Sequence, residues 1–371
     1  MTDSMILHQI ATSTPPPAGR AVVKILGLGG GGQNAINRMI ELGLDGVDFI
    51  AANTDGQALA SSLAPTQIQL GPRVTRGLGA GGDPKIGAAA AMESSRELAR
   101  AMAGADMVFI TAGMGGGTGT GAAPVAAEIA RETGAVVIAI VTMPFGFEMT
   151  RRMRNASEGI RLLQPHTHTL ITVPNDRLLQ IVPRELSLEV AFRLADDVLR
   201  QGVQGISELI TRAGLINVDF AHVRELMQRG GGALMSIGIG EGHRMAQDAV
   251  RQALRHPLLE VDSLEQASGV LVHFTGGDDL TLYEVGEAVE DLRRSFSPDV
   301  DLIFGATTEP GMNGRAQVIL IVTGIGARAV EAAPAAEVGN LAVVHTAPQA
   351  EQNLDLPAFL RRRSFLGTQG G

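Results

Sequence analysis

The chain has 371 residues, 30 Lys and Arg against 39 Asp and Glu, a net charge of −9, one Tyr, no Trp and no Cys. That balance supplies neither a cationic field nor stacking rings for a nucleic acid, and it excludes disulfides, thiolate metal sites and a cysteine nucleophile. The apolar runs, such as 135–141, fall far short of the ~18 residues that span a bilayer. The first seven residues lack a signal-peptide pattern, so the expectation is a cytoplasmic protein with no nucleic-acid partner and no direct membrane insertion.

In chain order, residues 1–20 carry three consecutive prolines (Pro15, Pro16, Pro17) and no periodicity, and read as a flexible lead. From residue 21, short β-branched runs alternate with helical stretches, the pattern of a parallel sheet covered by helices. Strands are predicted at 21–28, 49–53, 107–112, 136–141 and 169–173, with helices at 34–42, 84–102, 122–133 and 151–163. The third helix is read with Pro124 in its first turn. Leu188, Ala191, Ala195, Val198, Gly202, Ile206 and Leu209 then recur at spacings of three and four, which predicts one long helix over 187–211. A smaller α/β segment follows, with strands at 233–239, 270–274, 300–305 and 318–323 and helices at 241–255 and 283–296. Residues 327–353, rich in Ala, Pro, Glu and Gln, read as a linker. Residues 354–371 close the chain with a compact apolar and basic cluster, LDLPAFLRRRSFL, that reads as a docking peptide.

Chemistry concentrates in the glycines, 47 in all. Gly27, Gly29 and Gly32 form GxGxxG at a strand-to-helix turn, where backbone N–H groups and a helix N-terminus can face a phosphate. That motif alone admits a dinucleotide-dependent oxidoreductase. Six glycines in the nine residues 113–121, with the Thr118 and Thr120 hydroxyls, make a second cradle, and 77–82 supplies a third glycine-rich segment before Asp83 and Pro84. Three such loops favour a nucleotide with several phosphates. No GxxxxGK[ST] is present, so neutralisation falls to backbone dipoles, arginines and Mg²⁺.

GGGTGTG at 115–121 resembles the signature of the tubulin superfamily, and the surrounding sequence is similar to FtsZ, the bacterial division GTPases. NTD at 53–55, GLGAG at 77–81, PFGFE at 144–148, VPND at 173–176, VQGISELITRAGLINVDF at 203–220 and LPAFLRR at 356–362 support it. The resemblance spans 21–326 plus the tail peptide. It implies a Rossmann-like GTPase domain with its central helix over 21–216, joined by that helix to a smaller α/β C-terminal domain over 217–326. It also implies that GTP or GDP with Mg²⁺ lies against Gly30, Gly31, Gly32, Gln33 and Asn34, and against Gly117, Thr118 and Glycine 119 (Gly119). Glu148 and Arg152 would hold the ribose and nearby phosphate, Phe192 would stack on the guanine, and Asp196 would accept from its N1–H and 2-amino group. Adenine offers no such donor pair, which is chemical reason for a preference for G.

By the same resemblance, the loop holding Asn217, Asp219 and His222 enters the pocket of the next subunit and positions the attacking water. Head-to-tail contact of that kind does not close, and so yields filaments. At residue 222 the family pattern carries a second aspartate. The histidine admits two readings: one acid fewer and slower hydrolysis, or a neutral imidazole that orients the water as a base. Gln33 replaces a glycine and Asp83 an asparagine, which puts a side chain and a charge near the phosphates. His166 and His168 have no carboxylate or Cys companions at ligand spacing, and no protein metal site is expected. The resemblance further implies a place at the mid-cell division ring. Partners there would be membrane-tethering and regulatory division proteins that hold 354–363, from Leu354 through the anchors Leu356, Phe359 and Leu360 to Arg361, Arg362 and Arg363.

Overall fold

The computed structural model describes residues 21–182, 187–212, 214–259 and 264–325. The lead at 1–20, the linker at 327–353 and the tail at 354–371 lie outside the described residues. In chain order the elements are β1 (Val23–Leu28), α1 (Gly29–Glu41), β2 (Asp48–Asn53), α2 (Gly56–Ala60), β3 (Thr66–Gln69), α3 (Pro84–Glu93), α4 (Ser95–Met102), β4 (Met107–Gly113), α5 (Thr118–Glu132) and β5 (Val136–Met143). There follow α6 (Thr150–Leu163), β6 (Thr169–Pro174), α7 (Asn175–Leu178), α8 (Leu188–Thr211), α9 (Phe220–Arg229), β7 (Gly231–Glu241), α10 (Met245–Leu254), β8 (Gly269–Gly276), α11 (Leu282–Arg293), β9 (Asp301–Thr308) and β10 (Arg315–Thr323).

Among the described residues ten strands join one sheet in the order β3-β2-β1-β4-β5-β6-β7-β10-β8-β9. The first six are parallel and follow the doubly wound order, which reverses between β1 and β4. In such sheets ligands bind at the carboxyl ends of the strands beside that switch point. The expected α/β class therefore holds, and the two halves share a sheet through β6 and β7, where residues 169–171 pair with 231–233.

Alternate residues of the parallel strands face opposite layers. Ile25, Phe109, Ile138 and Ile140 pack under Ile36 and Met39 of α1 and Val198 and Leu199 of α8, in a cluster that also takes Met235, Ile319 and Ile321 from the second half. Leu26, Val108, Ile110 and Val137 face the other layer, with Ala90, Leu98, Ala122 and Ala126. A third cluster joins α10 and α11 to Val272, Phe274 and Leu320. Helix α8 has 24 residues, so it is roughly 36 Å long. It lies close on the sheet because two of its residues have no side chain. A Cβ on Gly202 would stand 2.7 Å from the Met235 sulfur, and one on Gly205 would stand 2.8 Å from Ile319.

Several expected boundaries move. Helix α1 starts at Gly29 rather than 34 and α5 at Thr118 rather than 122, so Pro124 lies in the second turn. The single helix expected over 84–102 is broken at Ser94, whose hydroxyl accepts from Gly71 N–H at 3.0 Å. Helix α10 begins late because Arg244 is left-handed, with φ +72°. The elements predicted from the sequence do not include β3, α9 or the short helices α2 and α7.

Candidate functional site

Strand β1 runs straight into α1. Leu28 caps the helix without a side-chain bond, no acid sits in the first turn, and the first N–H groups are left for an outside acceptor. The glycines there divide by what a Cβ would meet. On Gly27 it would lie 2.5 Å from the Gly32 carbonyl oxygen and on Gly32 2.3 Å from that of Thr111, so these two seat the helix on the sheet. Gly31 is tight against Gly113 N at 3.2 Å, and Gly29, at φ +66°, lies 3.0 Å from Gly119 N. Gly30 is exposed and meets nothing within 4 Å. It opens on the space where a phosphate would lie.

The second cradle abuts the first. Gly117 caps α5, again with no side-chain bond and no acid in the first turn. Two uncapped helix N-termini facing one space favour an anion. Thr118 Oγ1 lies 2.6 Å from Thr54 Oγ1, and Gly115 N–H donates to Thr120 Oγ1 at 2.8 Å. Helix α3 presses on this loop, since a Cβ on Gly87 would lie 2.2 Å from the Gly117 oxygen and one on Gly121 2.0 Å from that of Pro84. Asn155 is a residue that the sequence reading missed. Its amide donates to Gly82 O at 3.3 Å and Gly115 O at 3.4 Å, and so ties the third glycine segment to the second. The available signal was an Asn in the middle of a helix, where that residue is unfavourable without a partner.

Two departures from the family pattern take on other duties. Gln33 is buried, donates to the Ala58 carbonyl at 2.5 Å and accepts from Asn53 at 3.2 Å. Its side chain is thus held by α2 and Asn53. Asp83 caps α3 by accepting from Lys85 N–H at 2.9 Å. His168 is likewise occupied: its Nδ1 accepts from Val137 N–H at 2.9 Å.

The rim comes from the turn after β5 and from the start of α8. Glu148 Oε1 accepts from Phe145 N–H at 2.9 Å and Oε2 pairs with Arg152. Phe145 is buried, with its ring stacked on Phe147 at 5.0 Å and edge-on to Phe192 at 5.5 Å. Phe192 is itself 38% exposed, a free face for stacking rather than part of the helix core. One turn along α8, Asp196 accepts from the side chain of Asn34 on α1, which brings these two expected residues together.

Burial pushes the Asp196 carboxyl up from its ordinary 3.8 to about 7, opposed by the Asn34 hydrogen bond and reinforced by the neighbouring Asp197. The fold thus disfavours the ionised form, so the stability that Asp196 leaves intact in acid is lost as pH rises through about 7. A guanine donor pair placed on this carboxylate, as the resemblance implies, would reverse that preference. Affinity for GDP should then fall by up to about tenfold per pH unit below 7 and level off above about 8. Calorimetric titration across that range checks it, and Asp196→Asn should flatten the curve along with weakening binding.

Asn217, Asp219 and His222 lie elsewhere. Asn217 Oδ1 accepts from Gly214 N–H at 2.7 Å, and Asp219 is the N-cap of α9, accepting from Ala221 N–H at 2.9 Å. All three are exposed. The expected loop ends at Asp219, and His222 belongs to the first turn of α9. Phe192 and Thr211 are 19 residues apart on α8, roughly 28 Å along its axis. One chain therefore does not join its own rim to its own Asp219.

The Tubulin/FtsZ family, GTPase domain, matches residues 22–183, and the FtsZ family, C-terminal domain, matches 231–326. A chain of an empty FtsZ dimer from M. jannaschii superposes with a TM-score of 0.81 at 44% identity, over 88% of this chain and 93% of that one. The chain belongs to the FtsZ family. A mutant of M. jannaschii FtsZ gives a TM-score of 0.80 at 44% identity, over 87% and 95% of the two chains. CetZ2 from Haloferax volcanii, solved as a GTPγS-bound protofilament, gives 0.67 at 22% identity over 81% and 92%, a likeness of fold alone. In this FtsZ-family chain the matched GTPase domain contains both glycine cradles, so the ligand class is a guanine nucleotide and the oxidoreductase reading of GxGxxG falls away. Among the described residues no helix is long and apolar enough to cross a membrane.

Proposed function

We propose that this chain binds and hydrolyses GTP and polymerises head to tail into filaments. The observation that carries this reading is the placement of the nucleotide cradle and of Asp219 at opposite ends of α8. Two copies in line would complete one site. The N–H groups at the starts of α1 and α5 hold the phosphates, with Gly30, Gly31, Gly32, Gly117, Thr118 and Gly119 around them. Mg²⁺ neutralises phosphate charge when it arrives with the nucleotide. Glu148 and Arg152 hold the ribose side, Phe192 stacks and Asp196 reads guanine. From the neighbouring copy, Asp219 and Asn217 orient and polarise the water, and phosphoryl transfer needs chiefly this positioning. The dimer named for M. jannaschii FtsZ supports self-association. We further assign the filaments to the cytokinetic ring at the bacterial division site, where residues 354–363 recruit membrane-tethering and regulatory proteins.

His222 favours a second reading, in which the chain binds GTP and co-assembles with another FtsZ but turns over slowly. Phosphate release with GTP and Mg²⁺, alongside sedimentation, separates the two. The native chain should pellet with GTP and release phosphate, and His222→Asp should raise turnover by roughly tenfold. A native chain that pellets without releasing phosphate would favour the second reading. One that neither pellets nor hydrolyses would sink both.

A further inference from the structure

Between β5 and α6 the chain makes a single 3-10 turn, Gly146–Glu148, and enters the helix through Met149. Met149 has φ +81° and ψ +151°. A Cβ is crowded in that region, which is occupied almost wholly by glycine. The Met149 side chain is 78% exposed, so its own packing does not hold it there. Its neighbours do. Phe145 is anchored among the rings of Phe147 and Phe192, Gly146 N–H donates to Asp176 at 2.8 Å, and Glu148 is held by both Phe145 N–H and Arg152. On the helix side, Arg152 N–H donates to the Met149 carbonyl at 3.1 Å. The backbone of Arg152 also stands beside Gly115, where a Cβ would lie 3.0 Å from its oxygen.

We propose that Met149 is a positioning residue whose strained backbone sets Glu148 and Arg152 against the nucleotide and makes that arrangement one the free protein partly abandons. This rests on the reading of Glu148 and Arg152 as nucleotide contacts. When Met149 relaxes to negative φ, the carboxylate swings off Phe145 N–H and the pair opens. Bound nucleotide then has to draw the turn back into the strained form, and apparent affinity falls by the fraction of molecules that are competent. Glycine at this position removes the strain without touching any contact.

The test compares the full native chain with Met149→Gly and Met149→Ala. Alanine keeps the Cβ, and with it the strain, while removing the exposed thioether. GDP titrated by calorimetry should bind Met149→Gly about fivefold or more tightly, with the KM for GTP falling in proportion and no rise in kcat. Met149→Ala should stay within about twofold of the native chain. Amide exchange without nucleotide should slow across 145–152 in the glycine variant alone. Equal affinity and equal exchange in all three proteins would overturn the inference, as would an alanine variant that matches the glycine one. Should the native chain bind no GDP, the nucleotide reading of Glu148 and Arg152 fails, and the exchange comparison still decides whether Met149 strains the turn.

Discussion

Gly32→Ala is expected to lose about 3 kcal/mol or more of stability, enough to leave the chain largely unfolded in a thermal melt at modest temperature. The added Cβ would stand 2.3 Å from the Thr111 oxygen, 3.0 Å from the Gly27 carbonyl carbon and 3.1 Å from Gly27 Cα. All three are backbone atoms of β1 and β4, the strands at the centre of the parallel half, and none can turn aside as a side-chain end would. Helix α1 would have to lift from the sheet and take Ala35, Ile36 and Met39 out of the core. Gly30→Ala is the matched control. Its Cβ meets nothing within 4 Å and its φ is not positive, so it should fold as well as the native chain. It should nevertheless weaken GDP by about tenfold or more, because the methyl enters the space before the free N–H groups. Circular dichroism melts and GDP titrations of both variants check the contrast. If Gly32→Ala melts like the native chain, the close seating of α1 on Thr111 is wrong.

Asp219→Ala should lower GTP turnover by at least about a hundredfold while leaving GDP binding intact. The structural cost is small, about 1 kcal/mol for the lost N-cap of α9. The informative experiment mixes this variant with Gly30→Ala. Each has what the other lacks: Asp219→Ala keeps a sound cradle, and Gly30→Ala keeps the acid at the far end of α8. Phosphate release from the mixture should exceed the sum of the two alone and peak near equal amounts. No recovery at any ratio would mean that hydrolysis is not completed by a neighbouring copy.

The parts of the fold that were legible in the sequence are those with strong local physics. The parallel strands are continuous apolar runs because both faces are buried, and α8 announces itself by spacing and length. Strand β3 was not legible, since only Ile68 of its four residues is buried and no alternation develops. Helix α9 carries its own sequence signal: Asp219 as a cap, then Val223, Leu226 and Met227 on one face. The resemblance implies a loop over 217–222, whereas these local signals start a helix at Phe220. Gln33 shows the opposite limit. Its position one turn into α1 says nothing of where its amide goes, because that depends on Asn53 and Ala58, which come from elsewhere in the fold. Asp196 beside Asn34 was likewise invisible, being a meeting of α1 with α8.

The junction of the sheet has a mechanical meaning. Residues 231–233 pair with 169–171, a short ladder, whereas β7 and β10 are aligned over nine residues. In the head-to-tail filament proposed above, tension would enter each subunit at one end of α8 and leave at the other, crossing this seam. The helix runs alongside as a brace, seated through Gly202 on Met235 and through Gly205 on Ile319. In that proposed filament the three-residue β6–β7 ladder is the shorter link within each subunit, and α8 spans it. Bending of the proposed filament would then be shared between the seams inside its subunits and the joints between them.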